Sequence, residues 1–186
     1  NKIRNEIKEN FPYKYIEVFG AEADDIIGFL CEEYNQTFGK IMIISGDKDF
    51  IQLQKYHDVF QYSPIAKKLL NGVDPEEYLR EHILRGDKSD GIPNVLSDDD
   101  CIVSGIRQVP MTKKLIESWK HIPMPEEHRE RLQRNTMLVD LRYTPYDLQK
   151  EILEQFDAKE LGSRDKIPAY FTEHGLETLT KKIGDF

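Results

Sequence analysis

Cysteine is scarce in this 186-residue chain, and the two that occur, Cys31 and Cys101, stand 70 residues apart with no CxxC and no paired histidines beside them. That excludes a disulfide scaffold and a zinc knuckle, and it fits a reducing cytoplasm. Long apolar runs are missing too. The longest, Ile41-Met42-Ile43-Ile44, has four residues against the roughly 18 that a membrane-spanning helix needs. No membrane contact is expected. Nor does the chain open on a signal-peptide pattern, since Asn1 leads straight into a polar, helix-like stretch. Basic residues are the minority: 26 Lys and Arg against 34 Asp and Glu leave a net charge of −8. This balance argues against a protein that coats nucleic acid by charge alone, though not against one whose carboxylates gather in a metal site. A hydrophobic share of 39% supplies too much core material for a disordered chain.

Ile3 and Ile7 predict a helix over 1–10, stopped at Pro12. Tyr15 to Gly20 reads as a short strand. From Ala21 to Tyr34, Ile26, Ile27, Leu30, Cys31 and Tyr34 recur at steps of an amphipathic helix, which Gly39-Lys40 breaks. Ile41 to Ile44 is a β-rich run bounded by Ser45-Gly46. Strand, helix and strand predict a βαβ unit, hence a parallel sheet with its sites at the C-terminal strand ends. Asp49 to Gln54 reads as a helical turn and Asp58 to Tyr62 as a further strand. After Asn71-Gly72 the texture changes. Asp74 and Pro75 start a helix with Tyr78, Leu79, Ile83 and Leu84 on one face. Only helices and loops are expected beyond it. The predicted organisation is an α/β portion over 1–72 and a helical portion over 73–186.

Three acidic clusters stand at the ends of these elements: Glu22-Ala23-Asp24-Asp25, Asp47-Lys48-Asp49 and Asp87-Lys88-Ser89-Asp90. In a parallel sheet the first two emerge at one edge, and one helical turn points Asp87 and Asp90 the same way. Each cluster alone has an ordinary reading, as helix-dipole partners or as turn residues. Jointly they favour hard divalent cations, which take oxygen ligands and relieve the repulsion among crowded carboxylates. Two such ions can bind the attacking and leaving oxygens of a phosphodiester. An Asp-x-Asp phosphotransferase or glycosyltransferase would explain only the middle cluster. A non-catalytic DNA-binding or replisome-docking module would explain only the helical half. His57, His82, His121, His128 and His174 share no metal-ligand spacing. Cys31 and Trp119 read as core. Lys67-Lys68, Lys113-Lys114 and Arg129, Arg131 and Arg134 read as solvated faces before phosphate contacts, with Lys113-Lys114 the best candidate contact.

The segments Glu22-Ala23-Asp24-Asp25-Ile26-Ile27-Gly28 and Ile44-Ser45-Gly46-Asp47-Lys48-Asp49-Phe50-Ile51-Gln52-Leu53 resemble the two central motifs of the 5′-nuclease, or flap endonuclease, family. Gly86-Asp87-Lys88-Ser89-Asp90-Gly91-Ile92-Pro93 resembles that family's carboxylate pair at its DNA clamp. The closing segment, Tyr170-Phe171-Thr172 through Gly175 to Thr180 and on to Phe186, is similar to the ribonuclease H branch of T-even phages. The resemblance implies part of a parallel-sheet, PIN-like α/β core followed by an all-helical domain with a helix-three-turn-helix-like clamp. It implies a metal-dependent 5′→3′ exonuclease with ribonuclease H activity, removing RNA primers and adjacent DNA during lagging-strand synthesis in the cytoplasm of an infected bacterium. Two Mg²⁺ ions are implied, with Mn²⁺ as the alternative. Asp24 and Asp47 would hold the first, with Glu22 close by, and Asp49, Asp87 and Asp90 the second, with Asp25 behind them. Asp24, Asp47, Asp49 and Asp90 would carry the catalysis. Lys48, Lys88, Gly91, Lys113 and Lys114 would meet nucleic acid, the substrates being DNA and RNA–DNA hybrids with 5′ ends or flaps.

Two departures from the family pattern shape the expectations. Only 21 residues precede Glu22, where the family has further metal-site carboxylates and a basic arch. The chain is thus expected to be a C-terminal portion, deficient as a nuclease by itself. Where the family has a glycine-rich turn approaching a phosphate and a monovalent cation, this chain has Asn94 to Asp100, whose three aspartates oppose a phosphate. The branch also implies contacts with a phage single-strand-binding protein and a sliding clamp. Tyr146, Phe156, Tyr170 and Phe171 are the expected exposed apolar residues for the first of these.

Overall fold

The computed structural model of the chain describes residues 2–158 and 164–185. Packing divides it into two compact units, 22–145 and a smaller one made of 1–21 with 146–186. Among the described residues the fold is mixed α/β, with one small sheet and many helices.

Helix α1 (Lys2–Asn10) belongs to the smaller unit, and the larger unit opens on α2 (Ala23–Tyr34). Cys31 of α2 packs with Ile43, Phe50, Leu53, Val59 and Leu141 in one buried cluster. Each large aliphatic side chain buried there contributes about 1.5–3 kcal/mol. α2 approaches its neighbour closely: a Cβ placed on Gly28 would lie 2.8 Å from the Cβ of Leu141. The sheet has the order β1 (Ile41–Ile44), β2 (Val59–Ser63), β3 (Lys68–Leu70). β1 and β2 are parallel, with Ile41 opposite Val59, and β3 returns antiparallel. Alternation along β1 buries Ile43 and exposes Met42 and Ile44, so this all-apolar strand is covered on one face only.

The parallel pair differs from the predicted unit. Its crossover is the 3₁₀ helix Asp49–Lys55, which buries Phe50, Ile51, Gln52 and Leu53, whereas the expected first strand, Tyr15 to Gly20, is not a strand. A strand needs a neighbour to complete its ladder, and a side chain takes that place. Gln155 accepts from the Glu17 N–H at 3.2 Å and donates to the Glu17 carbonyl at 2.8 Å, which satisfies both backbone groups. The acidic cluster at Glu22 therefore opens α2 without a strand before it.

Asp74 caps α3 (Pro75–Arg85), accepting from Glu77 N–H at 2.9 Å. Residues 86–112 form turns and extended segments with no helix until α4 (Lys113–Ser118), and α5 (Arg129–Val139) follows. α3 buries Leu79 against Ile92 and Val139, and Leu84 against Val95 and Ile116.

The smaller unit adds α6 (Tyr146–Ala158), α7 (Lys166–Glu173) and α8 (Glu177–Thr180), with Val18, Ile152, Ile167 and Phe171 buried. The expected exposed patch is corrected here. Phe171 is fully buried, its ring 6.1 Å from Phe11, because it lies one turn after the buried Ile167 on the inner face of α7. Tyr170 and Phe156 are half-buried, and Tyr146 alone of the four is open, at 77% exposure. Phe186, the end of the closing segment, lies outside the described residues. The compact units divide the chain at 21/22 and 145/146, while the change from strand-bearing to helical sequence falls after Leu70.

Candidate metal centre

A cavity of about 260 Å³ in the larger unit is lined by Glu22, Asp24, Asp49, His82, Asp87, Asp90 and Gly91, with Ile92, Val139 and Leu141 among its apolar walls. Three chain segments deliver these groups. Asp24 sits in the first turn of α2, Asp49 starts the 3₁₀ helix after β1, and Asp87 and Asp90 lie in the turn after α3.

The loop after β1 is tied down from β2. The buried Gln61 side chain donates to the carbonyls of Ser45 at 3.0 Å and Asp47 at 2.5 Å. The Asp47 N–H reaches Ser45 Oγ at 3.1 Å, and Asp47 Oδ1 accepts from the Asp49 N–H at 3.1 Å. After α3, Gly86 adopts φ 64° and ψ −176°, a region open essentially to glycine alone. The chain then doubles back: Ile92 N–H donates to the Asp87 carbonyl at 2.7 Å, and Ser89 donates to Asp87 Oδ1 through both its N–H and its hydroxyl.

Burial and crowding set the charge. Burial raises Asp24, partly opposed by a hydrogen bond from the Asp25 N–H, and the neighbouring charges of Asp25 and Asp47 add to the rise. Asp49 is pushed up to about 6 by burial, against the opposing pull of His82, with Asp47, Asp87 and Asp24 raising it further. Hydrogen bonds from Ser89 keep Asp87 below the usual carboxylate range despite its burial. Burial lifts the Tyr78 hydroxyl to about 12, with Asp49, Asp87 and Asp47 contributing. Negative charge is thus concentrated where a divalent cation would relieve it, and the oxygen donors suit Mg²⁺ or Mn²⁺. Asp49, His82 and Asp87 each offer a ligand atom, all within 4.8 Å of one another. The residues fit a metal.

Not every expected residue meets there. Asp47 is exposed and does not line the cavity, although its charge acts on both Asp24 and Asp49. Asp25 turns to the end of its own helix, where it accepts from the Glu22 N–H at 3.0 Å and stands 3.5 Å from Thr144 Oγ1. Lys48 and Lys88 are exposed next to the acidic residues in sequence. Lys113 and Lys114 are exposed at the start of α4, and neither lines the cavity. Two of the expected solvated arginines are engaged instead. Arg131 pairs with Asp98 at 2.5 Å and donates to the Leu96 carbonyl, while Arg134 pairs with Asp99 and donates to the Pro93 carbonyl at 3.0 Å. They answer two of the aspartates in the Asn94 to Asp100 segment. Sequence reasoning passed over His82, Gln52 and Gln61. The one signal for His82 was its place on α3, one turn after Tyr78 and five residues before Asp87.

Comparison with known proteins shows the family. Residues 2–82 match the family described as 5′-3′ exonuclease, N-terminal resolvase-like domain, and residues 74–186 match the family described as T4 RNase H, C terminal. The chain belongs to the 5′-nuclease family, in its phage ribonuclease H branch. Among individual proteins, the ribonuclease H of Enterobacteria phage T4 is 32% identical over all of this chain and 65% of its own length. The 5′-3′ exonuclease of Aquifex aeolicus is 26% identical over 90% of the chain and 61% of its own length. DNA polymerase I of Bacillus caldotenax is 29% identical over 90% of the chain, which covers 21% of that protein. The chain therefore spans less than two thirds of each of these relatives.

Proposed function

We propose that this chain carries the metal-binding part of a 5′→3′ exonuclease and flap endonuclease with ribonuclease H activity, a phosphodiester hydrolase. The observation that carries the reading is the meeting of three sequence-distant acidic motifs, Glu22 with Asp24, Asp49, and Asp87 with Asp90, on one cavity. The names of the T4 and Aquifex aeolicus relatives support the same class of reaction. Two Mg²⁺ ions, with Mn²⁺ able to substitute, would stabilise the attacking and leaving oxygens of the phosphodiester, as paired ions about 3.5–4 Å apart do.

The protein's own groups divide the labour. Asp24 and Asp47, with Glu22, are assigned to one ion; Asp49, Asp87 and Asp90 are assigned to the other. Asp25 holds the helix that carries Asp24. Lys48, Lys88, Lys113 and Lys114 are assigned to phosphates, and Gly91, without a side chain, to close approach of the nucleic-acid backbone. The substrates are DNA and RNA–DNA hybrid duplexes with 5′ ends or flaps. The setting is removal of RNA primers and adjacent DNA in phage lagging-strand replication, in the cytoplasm of the infected host. A single-strand-binding protein and a sliding clamp are the proposed partners. Residues 1–72 are assigned to the catalytic core and 73–186 to DNA binding, close to where the two family matches meet. No helix among the described residues is long and apolar enough to cross a membrane.

The test is Asp47→Asn in the complete enzyme. Cleavage of a labelled 5′-flap or RNA–DNA hybrid should disappear while duplex binding changes little, because affinity comes mostly from phosphate contacts. Turnover at the wild-type rate under saturating Mg²⁺ would sink the assignment.

A further inference from the structure

His82 projects from α3 between two of the carboxylates. Its Nε2 lies 3.2 Å from Asp87 Oδ2 and its Nδ1 lies 3.5 Å from Asp49 Oδ1. The ring is 12% exposed, and Nδ1 is fully buried yet has no hydrogen-bond partner. Of the five histidines, only His82 lines the cavity.

The two ring nitrogens are not equivalent. A proton on Nε2 completes a hydrogen bond to Asp87, whose other oxygen Ser89 already holds. That tautomer leaves a lone pair on Nδ1 beside Asp49. Two electron-rich atoms side by side in a buried place repel each other, and either a proton or a metal cation between them relieves that repulsion. A histidine that ligates a metal usually donates its other N–H to a carboxylate, which fixes the tautomer and the ring. Asp87 is placed to be that carboxylate. The Tyr78 ring, edge-on with centroids 5.7 Å apart, steadies the imidazole from behind.

We propose that His82 ligates, through Nδ1, the divalent ion that Asp49 holds, and that this nitrogen gives the site a preference for Mn²⁺ over Mg²⁺. The inference rests on the metal-dependent reading above and changes its donor set, which the acidic motifs alone make all-oxygen. Imidazole suits transition-metal ions, whereas Mg²⁺ keeps to oxygen ligands and water.

Pulsed electron paramagnetic resonance of the full chain loaded with Mn²⁺ tests this directly. Nitrogen-14 modulation of the strength given by a coordinated imidazole is expected, and it should vanish in His82→Gln. Competition titrations should show the ratio of Mn²⁺ to Mg²⁺ affinity falling about tenfold or more in that variant. Mn²⁺ bound by the wild-type chain without nitrogen modulation overturns the role of His82 and leaves the carboxylate site standing. No Mn²⁺ bound at millimolar concentration, by wild type and Asp47→Asn alike, overturns the metal-site reading as well. The wild-type spectrum decides even if His82→Gln fails to fold.

Discussion

The side chain of Gln52 is hydrogen-bonded to the backbone on both sides of Asp140: its amide donates to the Val139 carbonyl at 3.0 Å, and its oxygen accepts from the Leu141 N–H at 3.0 Å. Gln52 belongs to the 3₁₀ helix that begins with Asp49, and Val139 and Leu141 are walls of the acidic cavity. One carboxamide thus couples an element that supplies a candidate ligand to the segment behind it.

Replacing Gln52 with Leu keeps the volume and removes both hydrogen bonds. The Val139 carbonyl and Leu141 N–H would then be orphaned in the interior, at about 1–3 kcal/mol each. A loss of roughly 2–5 kcal/mol is expected from urea unfolding of the variant, since partial relaxation sets the spread. An unchanged midpoint would mean that the two backbone groups find other partners.

Gly86→Ala should damage both stability and metal binding. A Cβ there would stand 2.3 Å from the Ile92 carbonyl oxygen and 2.6 Å from that of Pro93. The backbone conformation alone costs a non-glycine residue about 1–3 kcal/mol. Relief of the clash requires the 87–93 turn to move, and Asp87 and Asp90 move with it. A lower unfolding midpoint together with weaker Mn²⁺ affinity is the expected result. Normal Mn²⁺ affinity in a folded variant would show that the turn is not fixed by this glycine.

How much of this was legible in the sequence differs from residue to residue. Asp74-Pro75 announced α3, and the periodicity of Ile26 to Tyr34 announced α2, because caps and apolar spacing are local signals. The acidic residues were legible as motifs, and five of them do line one cavity. Tyr15 to Gly20 misled because strand propensity says nothing about whether a neighbour exists, and Gln155, 138 residues away from Glu17, supplies the bonds instead. Phe171 misled because its partner Phe11 lies at the other end of the chain. The roles of Gln52, Gln61 and His82 were not legible, since they are set by what the fold brings opposite them, and the place of His82 on α3 was only a faint signal.

Thiol chemistry offers a separate check on packing. Cys31 and Cys101 are both buried, and burial pushes the Cys31 thiol up to about 11. The thiolate is the reactive form, so native protein near neutral pH should react very slowly with a thiol-specific disulfide reagent. Both cysteines should titrate at once in denaturant. Rapid labelling of Cys31 in the native chain would contradict its burial on the inner face of α2.

The last prediction concerns acid. Asp140 is almost wholly buried, and burial by itself would raise its pKa. The Arg142 guanidinium reverses that: Nε lies 2.9 and 3.0 Å from the two carboxylate oxygens, Nη2 lies 2.6 Å from one of them, and the Arg142 N–H adds a bond at 3.1 Å. The net result is a carboxylate held below its ordinary range. A depressed folded-state pKa means that the ionised form is favoured by folding. The associated stability is fully present above the unfolded-state value, near 3.9, and is lost as pH falls through the lower folded-state value. Asp140→Asn keeps the size but loses the charge-assisted bonds, so it should cost roughly 1.5–3 kcal/mol at pH 7. The gap between wild type and variant should hold steady down to about pH 4 and then close as acid protonates Asp140. Unfolding curves of both proteins from pH 7 to pH 3 measure this, and a gap that widens on acidification would show that the Arg142 pairing does not govern Asp140.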